Sequence, residues 1–169
     1  AAGEPPTMKG YPPSALSLIP RQIERAGNDS ETGGSITAIY TVLADGDDLD
    51  DPVVDSARAI ADGHIILSRS LAEQGIFPAI DIGKSISRVA VDIVDPEHQK
   101  VQTHFKRLWS TYEETRDLVL MGAYQSGSDP NIDEALAQWP ALVEYIKQQP
   151  RELVDYRSSV DDLSKLFAP

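Results

Sequence analysis

The sequence Gly83-Lys84-Ser85 has the residue types with which phosphate-binding loops end. The complete loop follows the pattern G-x-x-x-x-G-K-S/T, whose backbone N–H groups surround the phosphates. Its first glycine would stand at position 78, which is Pro78, a residue without a backbone N–H. No other Gly-Lys-Ser or Gly-Lys-Thr occurs in the chain. The sequence therefore predicts an ordinary loop after a strand here, and this chain contains no phosphate-binding loop.

Five aspartates lie between positions 45 and 51, a density that suggests calcium binding. A calcium loop that starts at Asp45 would need an acid or amide where Leu49 stands, glycine where Asp50 stands and glutamate where Ser56 stands. The pattern fails at all three positions. We therefore predict a solvated acidic turn, with a loop that contacts a partner protein as the alternative.

Metal binding by imidazole and nucleophilic catalysis find no support in the pattern. The three histidines, at positions 64, 98 and 104, have no spacing that would place two imidazoles on one helix face. We interpret them as structural or surface residues. The chain has no cysteine, which excludes disulfides and thiolate chemistry and fits a reducing compartment. A Ser-His-Asp triad cannot be supported by spacing alone.

The charge balance argues against nucleic-acid binding. The 169 residues carry 15 Lys plus Arg and 27 Asp plus Glu, a formal net charge of −12. A nucleic-acid binder needs a basic stripe that displaces counterions, and no such segregation of positive charge is visible. The longest uncharged, largely apolar run, 33–44, is too short to cross a bilayer.

The first part of the chain alternates helical and strand patterns. After a proline-rich start, apolar spacing predicts a helix that ends at Gly27, and β-branched residues predict a buried strand over 35–44. Pro52 suits the first position of a helix capped by Asp50 or Asp51. A short strand over 64–67 and a short helix over 68–74 follow. This alternation is typical of α/β architecture.

From position 96 onward the pattern is helical. A long helix is predicted up to Gly122, a second over 132–146 that Pro140 splits or kinks, and a third over 158–167. We therefore predict an α/β part followed by an all-α part, with a domain boundary near Asp95. Residues 1–95 would form the first domain and 96–169 the second.

Several motifs, in order along nearly the whole chain, together resemble the ATPase of flagellar and type III protein export, which is similar to the catalytic subunits of rotary ATP synthases. The motifs are 3–7, 9–14, 34–38, 47–49, 62–69, 77–81 and 85–89 in the first part and 121–125 and 127–130 in the second. The family more usually has Glu where Ala123 stands. The resemblance implies that residues 1–95 are the last section of a RecA-like nucleotide-binding domain and that 96–169 are a C-terminal helical bundle.

The resemblance also implies a nucleotide site. Arg88 matches the family's arginine finger, which acts in trans on a neighbouring subunit's nucleotide. Phe77, followed by Pro78, matches an adenine-stacking aromatic that is commonly Tyr, and Tyr124 would close the other side of the adenine pocket. ATP and Mg²⁺ would be the cofactors, bound mainly by family motifs that precede position 1. The chain is thus expected to be the C-terminal part of a longer protein and to be inactive alone, with the Arg88 guanidinium facing outward.

Partners follow from the resemblance as well. The loops 9–13 and 45–51 resemble those that face the central axis of a ring. This resemblance implies a homo-oligomer, a hexamer, around a central stalk protein. The helical domain would dock export-gate components or chaperone-bound substrates. The family implies a cytoplasmic protein, peripheral at the export apparatus of the inner membrane, that energises flagellar protein export.

Two alternatives stay open at this point. The first is the ATPase of a virulence injectisome, which the neighbouring genes would distinguish. The second is a non-enzymatic helical interaction module derived from such an ATPase, for which the upstream coding sequence would lack a phosphate-binding loop. If the chain is the C-terminal part of a longer protein, the earlier strands of its sheet are missing. The apolar strand over 36–43 would then lack a neighbour, and its exposed edge would favour self-association.

Overall fold

The computed structural model describes residues 3–5, 8–44, 46 and 48–168. The chain divides into two compact units, residues 1–64 and residues 65–169. Each unit has its own secondary structure. The domain boundary near Asp95 stays a prediction.

The first unit contains two packed helices. A 3₁₀ turn, Met8–Gly10, is followed by helix α1 (Pro13–Ile23), strands β1 (Gly27–Asn28) and β2 (Ser35–Ile36), helix α2 (Pro52–Ile60) and strand β3 (Gly63–His64). Strands β1 and β2 pair antiparallel, and α1 packs against α2. Proline begins each helix, and the Asp51 carboxylate caps α2 by accepting the N–H of Val53 at 2.9 Å. The predicted helices are thus confirmed.

The predicted buried strand over 35–44 is wrong. Within this range only Ser35–Ile36 is paired as a strand, and residues 37–44 belong to no strand. Ile39 is 93 % exposed and Leu43 is 91 % exposed. High β-propensity describes side chains that suit a pleated, half-buried surface, and it cannot supply the neighbouring strand that such a surface requires. The expected exposure of this apolar segment is observed, whereas self-association stays a prediction.

The second unit begins with short elements. Helix α3 (Arg69–Glu73) is capped by the Ser68 hydroxyl and ends before Gly75, whose φ of +72° is the left-handed conformation that glycine adopts freely. Strand β4 (Ile86–Ser87) and helix α4 (Ala90–Ile93) follow. Leu67 and Ile80 form an antiparallel bridge.

Three longer helices form the rest of this unit. They are α5 (Pro96–Leu120), α6 (Pro130–Ile146) and α7 (Tyr156–Lys165). Each begins after an aspartate whose carboxylate accepts a backbone N–H of the first turn, namely Asp95, Asp129 and Asp155. Pro140 does not split helix α6, which is continuous from Pro130 to Ile146; the alternative, a kink at Pro140, stays a prediction. Proline removes a single hydrogen bond, and the packing of Trp139 and the fully buried Leu142 on either side of Pro140 holds the helix together.

The core of the second unit combines buried aliphatic side chains with a cluster of aromatic rings. Its buried members come from α3, from a residue three positions beyond it, and from α5 to α7: Leu71, Ile76, Phe105, Leu108, Trp109, Ala135, Leu142 and Leu163. The rings of Tyr112 and Trp139 stack with centroids 3.6 Å apart, and Trp109 lies 4.6 Å from Trp139. Helix α5 packs on both α6 and α7. None of the helices described is both long enough and apolar enough to pass through a membrane.

Candidate functional site

The segment from Phe77 to Asp81 is held by backbone hydrogen bonds while its first side chain remains exposed. The carbonyl of Phe77 accepts the N–H of Gln148 at 2.8 Å, and the carbonyl of Ala79 accepts the N–H of Ser68 at 2.8 Å. The Phe77–Pro78 peptide bond is cis, and Phe77 is 53 % exposed. A fixed backbone with an exposed aromatic ring suits stacking against a flat ligand.

The turn 81–85 contains the Gly83-Lys84-Ser85 sequence. Asp81 is only 6 % exposed, and its Oδ1 accepts the N–H of Lys84 at 3.0 Å while its Oδ2 lies 3.3 Å from Lys84 Nζ. The Ser85 hydroxyl donates to the carbonyl of Asp81 at 2.6 Å and accepts the N–H of Ile66 at 3.0 Å. These groups therefore build the loop itself, as the failed phosphate-binding pattern predicts.

Arg88 lies directly after strand β4, three residues beyond Ser85, and it is exposed. Phe77 and Arg88 thus belong to one continuous segment, 77–88, whose turn is hydrogen-bonded at Asp81 and Ser85. Both residues are exposed, and an aromatic ring and a guanidinium are groups that can bind a base and a phosphate.

Tyr124 lies elsewhere. Its hydroxyl donates to Asp133 Oδ1 at 2.9 Å and lies 3.0 Å from the carbonyl of Asp129, both at the first turn of α6. Phe77 is bonded to Gln148, just beyond the last turn of the same helix. A helix of 17 residues is about 25 Å long, so the structure does not bring Phe77 and Tyr124 together. We therefore leave Tyr124 out of the nucleotide site proposed below.

Glu113 of helix α5 is an acid placed beside the turn. Although the residue as a whole is exposed, its Oε2 would lie 3.4 Å from a Cβ at Gly83, and Asp81 Oδ1 would lie 3.5 Å from that same point. Burial of the carboxylate, and then the negative charge of Asp81, raise the pKa of Glu113. The Trp109 indole and the cations Lys84 and Arg116 partly oppose the increase.

We expect Glu113→Gln to change the pH dependence of stability. Because the pKa of Glu113 is raised in the folded state, the folded protein binds this proton more tightly than the unfolded chain. Stability is therefore lost as the pH rises from the ordinary carboxylate range through the raised value. Glu113→Gln should remove this loss and stabilise the chain at neutral pH, measured as urea midpoints between pH 4 and 7.

The control for this pH series is Glu114→Gln. Glu114 is the next residue of the same helix and is exposed, so its substitution removes the same charge without touching the turn 81–85. If both variants follow the same pH curve, the decrease in stability does not come from the pair formed by Glu113 and Asp81.

The acidic loop of the first unit contains an ion pair that the sequence did not reveal. Lys9 Nζ pairs with Asp48, and it lies 3.4 Å from the carboxylate of the buried Asp51. The hydrogen bond to Lys9 lowers the pKa of Asp48. The positions 45 and 47 of this loop lie outside the described residues. Two acids of the loop are thus compensated internally, although Lys9 and Asp48 are 39 residues apart.

The described histidines support no metal site. His104 Nε2 lies 3.3 Å from Glu134 Oε1, and its ring packs edge-on against Phe167 with centroids 4.5 Å apart. Arg107 also pairs with Glu134, at 2.9 Å. Among the described residues, no group of three or more His, Asp or Glu side chains could hold a metal ion.

Comparison with known proteins gives the class of this fold. Residues 1–87 match the model of the ATP synthase alpha/beta family, nucleotide-binding domain, and residues 94–165 match the C-terminal domain of the T3SS EscN ATPase. The chain therefore belongs to the ATP synthase alpha/beta family.

Individual relatives of this chain are flagellum-specific ATP synthases and an ATPase of a type III secretion system. The chain is 51 % identical over 167 residues to the flagellum-specific ATP synthase of Salmonella typhimurium and 49 % identical over 168 residues to that of Pseudomonas aeruginosa. It is 42 % identical to the assembled ATPase EscN of the enteropathogenic E. coli type III secretion system, with a TM-score of 0.90 over 98 % of this chain and 40 % of that one. The alignments cover 99 % of this chain. The chain spans only 37 % of the length of each of these two flagellar relatives. The recognised family and the order of an ATPase domain followed by a helical domain are thus confirmed.

Proposed function

We propose that the complete protein containing this chain hydrolyses ATP in a ring of identical subunits to energise flagellar protein export. The observation that carries the proposal is the exposed Arg88, at the end of a hydrogen-bonded segment that also exposes Phe77, within a nucleotide-binding family. Identity to flagellar relatives is 45 to 51 %, against 42 % to EscN. This difference favours the flagellar system over an injectisome.

Arg88 would stabilise the transition state of phosphoryl transfer in the neighbouring subunit. Charge spreads over the oxygens of the γ-phosphoryl group during this reaction, and a permanently charged, planar guanidinium can bind two of those oxygens together. The residue lies on the surface, as a group that acts across a subunit interface must. The magnesium ion that accompanies ATP would be held by residues other than those we assign here.

Phe77 would stack on the adenine base. Its ring is half exposed while the Phe77 carbonyl is fixed to Gln148, so the π-face is presented at a defined place. Stacking requires only this face, which explains how phenylalanine can stand where the family more often has tyrosine. Pro78, the next residue, fixes the backbone direction after the ring.

We expect Phe77→Ala to raise KM for ATP about 5- to 150-fold in the complete protein, because base–aromatic stacking contributes about 1–3 kcal/mol. The value of kcat should change much less, since the ring binds substrate and transition state alike. Steady-state ATPase kinetics measure both constants. Phe77→Tyr, which keeps the π-face, should retain the original KM.

Tyr156→Ala is the matched control for this experiment. Tyr156 is an exposed aromatic residue of α7, so its loss tests whether any exposed ring affects KM. If KM is unchanged in Phe77→Ala, or if Tyr156→Ala raises KM by the same factor, adenine does not stack on Phe77.

The partners of the complete protein follow from the same proposal. EscN has been solved in complex with its central stalk EscO, and this chain matches that structure with a TM-score of 0.83 and 41 % identity. We assign the loops 9–13 and 45–51 to contact with a stalk protein. Because Lys9 already compensates Asp48 and Asp51, the exposed Asp50 is the described acid of this loop that offers charge to a basic partner.

The helical domain would dock export-gate components or chaperone-bound substrates on the cytoplasmic side of the export apparatus. The competing hypothesis of a non-enzymatic helical module predicts a coding sequence without G-x-x-x-x-G-K-S/T upstream of this region. Reading that sequence separates the two hypotheses before any assay.

A further inference from the structure

One face of helix α5 lies against the turn that precedes Arg88. Lys106, Trp109 and Glu113 follow at spacings of three and four, which places them on the same side of the helix. Lys106 Nζ donates to the carbonyl of Ser85 at 3.1 Å. A Cβ at Gly83 would lie 3.4 Å from Glu113 Oε2 and 4.0 Å from Trp109 Cδ1. The helix thus contacts the turn 81–85 at both its middle and its end.

The hydrogen bond from Lys106 is the last of these contacts before the arginine. The turn is closed internally by Asp81 and by the Ser85 hydroxyl, but these bonds fix the turn to itself and to Ile66. Lys106 instead fixes the Ser85 carbonyl to a long helix that is anchored in the core by the fully buried Leu108 and Trp109. Its partly buried position makes the charge-assisted bond stronger than one on an open surface.

We propose that Lys106 is a positioning residue for Arg88: by holding the Ser85 carbonyl, it fixes the segment from which the guanidinium extends toward the neighbouring subunit. Only the two residues of strand β4 separate Ser85 from Arg88, so the three residue steps between them span about 10 Å. A shift at Ser85 is therefore passed to Arg88 with little slack. Catalytic groups that are misplaced by about 1 Å lose up to about 100-fold in rate.

This inference rests on the proposed role of Arg88, and its test uses the complete ATPase. We expect Lys106→Met, which keeps an unbranched apolar stem but removes the charge, to lower kcat about 10-fold with KM for ATP changed less than about 2-fold. The effect is partial because the bonds of Asp81 and Ser85 within the turn remain. Lys106→Arg, which can still donate to the Ser85 carbonyl, should restore most of the activity.

Lys100→Met is the matched control. Lys100 lies on the same helix and pairs with Glu97 at 3.2 Å, where both side chains are exposed, so the same substitution there should leave kcat unchanged. Urea midpoints of both variants distinguish loss of positioning from loss of fold. If Lys106→Met unfolds the protein, Lys106→Gln, which keeps a polar end, is judged by the same criteria.

The double variant Arg88→Ala/Lys106→Met decides whether Lys106 acts through Arg88. We expect it to have the kcat of Arg88→Ala alone, because a positioning residue has no effect once its target is absent. The inference is overturned if Lys106→Met keeps the original kcat, or if it lowers kcat by the same factor with and without Arg88. If Arg88→Ala itself leaves kcat unchanged, the proposed function of Arg88 fails instead, so the two failures are distinguishable.

Discussion

Replacing Arg88 with alanine in the complete ATPase is expected to lower kcat by about 10³- to 10⁵-fold, the contribution typical of an arginine that stabilises phosphoryl transfer. This corresponds to about 4–7 kcal/mol of transition-state stabilisation at 1.36 kcal/mol per decade. KM for ATP should change far less, because the charge that the guanidinium binds develops only in the transition state. Arg88→Lys should recover little, since an ammonium ion cannot bind two oxygens in one plane. The measurement is steady-state hydrolysis at high enzyme concentration.

The matched control is Arg157→Ala. Arg157 is exposed and lies in the first turn of α7, so its loss removes one positive charge without changing the segment 77–88. It should leave kcat within about twofold, as surface substitutions away from a site do.

Mixing two inactive proteins tests whether Arg88 acts on a neighbour. One is Arg88→Ala, and the other carries a defective phosphate-binding loop with Arg88 intact. If the arginine acts in trans, a mixed ring contains interfaces that join an intact loop to an intact arginine, and activity returns on mixing. If it acts within its own subunit, no such pairing exists and the mixture stays inactive. Turnover by the 169-residue chain alone, abolished by Arg88→Ala, would also contradict the proposal.

The helices could be predicted from the sequence because their signals are local. Pro52, Pro96 and Pro130 each follow an aspartate, and each pair begins a helix in the structure. An aspartate caps the first turn and a proline supplies the fixed φ, so both act within a few residues. The end of α5 before Gly122, where φ is +69°, is equally local.

The strand over 35–44 and the ion pair of Lys9 could not be predicted in the same way. The strand pattern is real, but whether residues 37–44 become a strand depends on a neighbour far away in the sequence. Lys9 meets Asp48 across 39 residues, and no periodicity connects them. Non-local contacts are set by how elements pack, which a local pattern does not specify.

The candidate site shows the same division. The residue types at Phe77 and Arg88 could be identified by resemblance, and the structure exposes both. The resemblance grouped Tyr124 with Phe77, and only the structure shows that the two residues lie near opposite ends of α6. Lys106 gave no sequence signal at all. Its partner is the backbone carbonyl of Ser85, a group that every residue has, so no residue type marks the contact.

Truncation of the buried leucines of the second unit should have the largest effect on stability. Leu108 of α5 and Leu142 of α6 are fully buried in the core that also contains Trp109. Replacing either with alanine removes the transfer free energy of its methyl groups and leaves a cavity, which costs about 2–5 kcal/mol. The size depends on how far the surrounding aromatic rings can relax. Neighbouring Pro140 limits the movement of α6 near Leu142, which favours the upper part of that range there.

Leu153→Ala makes the same chemical change at a residue that is 99 % exposed, and it should alter stability by less than about 0.5 kcal/mol. Both tryptophans of the chain, Trp109 and Trp139, lie in this core, so their fluorescence during urea unfolding reports the second unit alone. The original chain and Leu153→Ala should unfold at the same urea concentration. Leu108→Ala and Leu142→Ala should unfold at a much lower one. Equal midpoints for the buried and exposed substitutions would mean that α5 and α6 do not pack in solution through these two leucines. The placement of Lys106 against the turn 81–85 would then lose its support as well, because Lys106 and Leu108 lie on the same helix, α5.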